Sequence, residues 1–167
     1  MKICPACGMP QAVERRICSY CDYDSEKPIS ELSQKQIYEL MAPYIFDRTA
    51  DGGYIVSSAR NIRGLRGSVG VPPFVTEIGN GAYANCKFIS FIELPVGLQA
   101  IGDNAFGGCR NLTTIFIPET VTHMGREVFA DCYDLAEITC AAQEKPEEWD
   151  DAWLDGCEAK VLWNVRQ

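Results

Sequence analysis

A spacing of 23 residues recurs through the last two thirds of this chain, and it constrains the fold more than any single motif. The segments IGNGAYANC (Ile78 to Cys86), IGDNAFGGC (Ile101 to Cys109) and MGREVFADC (Met124 to Cys132) superpose at that constant offset. Each leads into the same second half: Ile89-Ser90-Phe91-Ile92-Glu93-Leu94-Pro95, then Leu112-Thr113-Thr114-Ile115-Phe116-Ile117-Pro118, then Leu135-Ala136-Glu137-Ile138-Thr139-Cys140. A unit this short cannot bury its apolar face alone. Successive units must stack into a solenoid whose core runs along the stacking axis.

Each half of a unit has its own pattern. Ile115-Phe116-Ile117 alternates inward and outward as a short strand, which Pro118 terminates. Strands from successive units then stack in parallel. In the other half, Asn80 or Asp103 is expected to cap a single helical turn that sends Ala82, Tyr83 and Cys86, or Ala105, Phe106 and Cys109, into the core. Gly79, Gly102 and Gly125 mark the bend between halves. Cys86, Cys109 and Cys132 should stack as small buried hydrophobes, because binding a metal there would require thiolates in an apolar interior. With Ile92, Leu94, Ile115, Ile117 and Ile138 pointing inward, alternation turns Phe91, Glu93, Thr114, Phe116, Glu137 and Thr139 outward onto one sheet face. Two phenylalanines rimmed by polar groups suggest a contact surface for a protein or peptide, or else a patch covered by the N-terminal segment.

The repeated motif IPxxVxxIGxxAFxxCxxLxxI resembles the bacterial surface-antigen (BspA-like) class of leucine-rich repeat, over about residues 70 to 140. Lys145-Pro146-Glu147-Glu148-Trp149, Trp153-Leu154 and Gly156-Cys157 resemble the shortened final unit of that class, with Trp149 and Trp153 sealing the stack. The resemblance implies binding of proteins or surface ligands rather than catalysis.

The N-terminus is different in kind. Cys4-Pro5-Ala6-Cys7 and Cys18-Ser19-Tyr20-Cys21 are two CxxC knuckles, and together they supply the four-sulfur tetrahedral shell that zinc favours. A redox dithiol or an iron-sulfur site would use similar spacing, but the flanking strand and helix pattern of a thioredoxin-like fold is missing. The segment resembles the short zinc-ribbon family. One structural Zn2+ is expected on Cys4, Cys7, Cys18 and Cys21, replacing a core that so few residues cannot build. A closed Cys4 shell leaves no open position for Lewis-acid catalysis.

The expected fold class is therefore α/β: a short leucine-rich-repeat solenoid with a parallel sheet, preceded by a Cys4 zinc ribbon and a short helix. Residues 1–24 form the ribbon. Residues 25–50 are a linker with a capping helix, signalled by Ser33, Gln36, Ile37, Leu40 and Met41 and stopped by Pro43. Residues 51–167 form the repeat domain, with regular units over about 71–140 and a terminal cap over 141–167. Within it, Gly52-Gly53-Tyr54-Ile55-Val56 reads as a turn entering a strand.

Charge and composition narrow the function. The net charge of -8 disfavours nucleic acid, whose phosphates are gripped by clustered cations. Arg60, Arg63 and Arg66 are interleaved with glycine and read as a solvated loop. The only histidine, His123, sits at a generic turn position with no nucleophile motif beside it, so a surface location is expected. Glu147, Glu148, Asp150, Asp151 and Asp155 lack the EF-hand pattern and read as a solvated cap. No apolar run suits a membrane span or a leader, and nine cysteines in these positions favour reduced thiols, so a cytoplasmic location is expected. The function these features support is a non-catalytic, zinc-stabilised module that presents a sheet face to a protein or peptide partner. The alternative is a nucleic-acid-binding or transcription-associated zinc-ribbon protein with the repeats as its regulatory body.

Overall fold

The computed structural model describes residues 2–3, 10–11, 44–50, 52–59 and 65–165. The expected helix of residues 33–43, the four knuckle cysteines, Arg60 and Arg63 lie outside these residues. Two short N-terminal strands, β1 (Lys2–Ile3) and β2 (Pro10–Gln11), pair antiparallel with Ile3 opposite Pro10. The remaining strands build two five-stranded sheets.

The first sheet begins with a hairpin of β3 (Tyr44–Arg48) and β4 (Tyr54–Ala59). Gly52 turns this hairpin with φ 92, a left-handed conformation that glycine adopts at little cost. β6 (Val75–Ile78), β8 (Ala100–Ile101) and β10 (His123–Met124) then add in parallel. The second sheet is parallel throughout, in the order β5 (Gly67–Gly70), β7 (Ile89–Glu93), β9 (Thr114–Ile117), β11 (Glu137–Cys140), β12 (Lys160–Leu162). Parallel register reaches further toward the N-terminus than the regular sequence repeat, since Val56 pairs with Ile78 and Val69 with Ile92.

No helix occurs among the described residues, so the α/β expectation is corrected to a β-solenoid of two sheets joined by turns, parallel apart from the β3–β4 hairpin. The reason lies in the IGxxAFxxC half. Its alternate amides bond to the next unit rather than along a helix: Gly81 to the Asp103 carbonyl, Tyr83 to Ala105 and Asn85 to Gly107, then Asn104 to Arg126, Phe106 to Val128 and Gly108 to Ala130. Amides committed across 22 residues are unavailable for a helical ladder. Only the intervening amides turn back locally, Ala82 to Gly79 and Ala84 to Gly81. Asn80 and Asp103 likewise do not cap their own turns. The Asn80 Oδ1 accepts from the Asp103 amide at 2.8 Å, and the Asp103 Oδ1 from the Arg126 amide at 2.8 Å. This explains Gly102 and Gly125. A Cβ at either position would lie 2.3 Å from the carboxyl or amide oxygen reaching over it.

The core is a column of side chains, one layer per unit. Tyr83, Phe106 and Phe129 stack with centroids 5.4 and 5.5 Å apart and interplanar angles of 22° and 7°. An edge-on ring closes each end of the stack: Tyr44 against Tyr83 at 6.0 Å, and Trp153 against Phe129 at 6.2 Å. An edge presented to a π face is the favourable terminus for such a stack. Trp149 is buried beside Trp153 and donates its indole N–H to the Val121 carbonyl at 3.1 Å. Ile92, Leu94, Ile115, Ile117 and Ile138 are all buried, as alternation requires.

Candidate interaction face

The outer surface of the second sheet is set by its register. Ser68, Phe91, Thr114, Glu137 and Lys160 stand side by side on successive strands. In the adjoining row, Gly70 pairs with Glu93, and Phe116 pairs with Thr139, which pairs with Leu162. Phe91 and Phe116 therefore occupy different rows on neighbouring strands. Phe91 is 37% exposed, Glu93 and Thr114 are exposed, and Phe116, Glu137 and Thr139 are half-buried. The Thr139 hydroxyl is turned back onto the Ile115 carbonyl at 3.3 Å.

Sequence reasoning missed the corner of this face. Phe88, just before β7, is 47% exposed and lies under the Arg66 guanidinium, 4.7 Å from its ring centroid. Arg66 is exposed, in keeping with a solvated position, and it also packs on an aromatic ring. Two units on, Tyr133 is 68% exposed beside Arg110 at 5.5 Å, and its hydroxyl donates to Asp131 at 2.9 Å. The signal was available: Asn111 and Asp134 hold the positions equivalent to Phe88, so this phenylalanine departs from a polar column. The face as a whole offers aromatic surface, cations set against rings, and a polar border.

The remaining candidates sit elsewhere. His123 is exposed on β10, opposite Ala100, and belongs to a strand rather than a turn. Glu147, Glu148, Asp150, Asp151 and Asp155 are exposed around the cap, where Lys145 bridges Asp151 and the Trp149 carbonyl. Lys145 holds the Asp151 carboxyl below its ordinary range. Among the described residues, Cys86, Cys109, Cys132, Cys140 and Cys157 are unpaired thiols, the first four of them buried. The Cys109 thiol donates to the Tyr83 carbonyl at 3.2 Å and the Cys132 thiol to Phe106 at 3.1 Å, so each thiol satisfies a carbonyl of the preceding unit. Contact with Cys86 and then burial push Cys109 well above its ordinary range, and burial pushes Cys132 and Cys140 up to about 12. These groups stay protonated and pack as hydrophobes.

Comparison with known proteins agrees with this geometry. The profile of the BspA type leucine rich repeat region matches residues 67–157, more than half of the chain, as six copies. A leucine rich cell surface protein from Faecalibacterium prausnitzii is similar in structure, with a TM-score of 0.51 and 19% identity over 74% of this chain. A leucine-rich repeat protein from Eubacterium ventriosum is similar at a TM-score of 0.55 and 20% identity, also over 74% of this chain. The chain spans only 38% and 34% of the lengths of those two proteins. No curated protein matches the sequence.

Proposed function

Because this chain belongs to the BspA-type leucine-rich repeat family, we propose that it is a non-catalytic interaction module that binds a protein or peptide on the outer face of its second sheet. The observation that carries this reading is Phe91, 37% exposed in mid-sheet, with Phe88 exposed just before its strand and Phe116 on the next one. Aromatic anchors set among polar neighbours are the usual energetic centre of a protein contact. Glu93, Thr114, Glu137 and Thr139 supply the polar border. The repeat stack gives the face its rigidity, so little ordering entropy opposes binding.

In the same reading, residues 1–24 are a ribbon that holds one structural zinc through Cys4, Cys7, Cys18 and Cys21. The support is the spacing of the two knuckles, the first of which falls in sequence between the paired strands β1 and β2. The protein works in a reducing compartment, the cytoplasm, where the five unpaired cysteines of the solenoid persist as thiols.

Pull-down from the native cell compares the unaltered chain with Phe91→Ala/Phe116→Ala. Loss of the recovered partner is expected, and equal recovery would remove the sheet face from consideration. Metal analysis of protein purified under reducing, zinc-replete conditions should return one zinc per chain, and none would refute the ribbon.

A further inference from the structure

A solenoid leaves strand edges open at its ends, and unpaired peptide groups there are a template for unwanted strand addition. Two of the four edges, at β10 and β12, carry their own protection within the repeat domain. The first sheet ends at β10, whose Met124 bridges to Trp149, while its other edge is β3, the outer strand of the β3–β4 hairpin. The second sheet ends at β12, which begins with the charged Lys160 and is followed by Trp163, whose ring lies against Trp149. The fourth edge is β5. The amides of Gly67 and Val71 point inward along the sheet, to the Phe88 carbonyl at 2.8 Å and the Glu93 carbonyl at 2.9 Å. By strand alternation the peptide groups of Ser68 and Gly70 face the other way. The Gly70 carbonyl is taken by the Tyr44 hydroxyl at 3.2 Å, while Ser68 receives no strand from the solenoid.

We infer that the occupant of this edge is the chain's own N-terminal hairpin. β2 lies alongside β5, with Cα atoms within 8 Å. It pairs only with β1, so it covers the edge by packing rather than by extending the ladder. β5 begins at Gly67, whose φ of 67 turns the chain into the strand, and the space beside it is open. Cys4 and Cys7 lie in the sequence between β1 and β2. If the ribbon reading above holds, metal loading fixes the shape of the element that covers β5. The edge is then shielded in the loaded protein and open to strand addition by a second copy in the stripped one.

The test uses the full chain. Pro10 has no amide, which makes Ile3–Pro10 the non-bonded pair and leaves Lys2–Gln11 to carry the hairpin's hydrogen bonds, so Gln11→Pro breaks it. Nuclear Overhauser contacts between Pro10–Gln11 and Gly67–Gly70 are expected in the unaltered protein. In Gln11→Pro, hydrogen exchange at Gly67 and Val71 should quicken about tenfold, with Phe106 unchanged. Absent contacts, or unchanged exchange in the variant, would overturn the docking. Chelation of the zinc-loaded chain should reproduce the effect of the variant. If the variant acts and chelation does not, the metal coupling falls and the docking stands. If no zinc is bound at all, the ribbon reading fails, and the Overhauser contacts and Gln11→Pro alone decide the docking.

Discussion

At the scale of the residue, the repeat places left-handed backbone at two columns. Asn85, Gly108, Asp131 and Gly156 have φ of 62, 72, 57 and 75, and Gly81, Asn104 and Glu127 have φ of 60, 50 and 51. Glycine, asparagine and aspartate occupy such conformations cheaply. Glu127 is the misfit, and a longer side chain there costs roughly 1 kcal/mol. Glu127→Gly is therefore expected to stabilise the fold by about that amount and to raise Tm by roughly 2–4 °C in thermal unfolding. An unchanged or lowered Tm would show that the exposed glutamate contributes something its surroundings do not reveal. These columns were present in the sequence as the Asn-Cys, Gly-Cys, Asp-Cys and Gly-Cys pairs, but only as letters. The role of Gly102 and Gly125 was less legible. They read as bends, whereas their requirement comes from Asn80 and Asp103 reaching across from the preceding unit, an interaction between residues 22 apart.

At the scale of the element, the strands of the second sheet were legible because Ile92-Glu93-Leu94 and Ile115-Phe116-Ile117 alternate over enough residues to define a period. Of the first sheet only β4 was, through the Gly52-Gly53 turn into Tyr54-Ile55-Val56. β8 and β10 are two residues each, too short for alternation to register, and the intervening segment mimics a capped helical turn. The thiol column was legible as core, and its protonation carries a consequence. Cys140 ionises ordinarily near 9.0 but is pushed up to about 12 by burial in the fold. A thiol with a raised folded-state pKa contributes its full share below pH 9, and that share is lost as pH rises toward 12. Stability should thus decline through this window, with Cys140 accounting for at most about 1.4 kcal/mol per pH unit. In urea unfolding at pH 8, 9.5 and 10.5, Cys140→Ala is expected to start lower, from its cavity, yet to decline less steeply than the unaltered protein. Parallel declines would mean that Cys140 ionises in the fold as freely as in the unfolded chain.

At the scale of the whole molecule, each layer touches only its neighbours, so stability is a chain of nearest-neighbour terms and the ends are where it frays. The sequence marked one end through Trp149 and Trp153, because two tryptophans four apart break the repeat. For the other it offered a capping helix that falls outside the described residues, and it did not single out Tyr44. Tyr44 closes the aromatic stack from a hairpin whose strands pair antiparallel, outside the 23-residue period, and Trp163 joins the C-terminal cluster from beyond the last recognisable motif. An end residue and an interior residue of the same column should accordingly fail differently. Phe106 is stacked on both faces, by Tyr83 and Phe129, while Trp153 meets Phe129 only and lies against Trp149. Truncating either to alanine removes a large buried ring, at a cost of roughly 3–5 kcal/mol. Phe106→Ala interrupts the column, so exchange should rise along its whole length, on both sides of the cavity. Trp153→Ala should release the last unit first, with amides such as Trp149, Lys160 and Val165 losing protection while Val71 and Gln99 keep theirs. Hydrogen exchange resolved by residue separates the two cases. Uniform loss in Trp153→Ala would mean that the layers unfold as one cooperative block, and that the tryptophan cap holds the entire solenoid rather than its final turn.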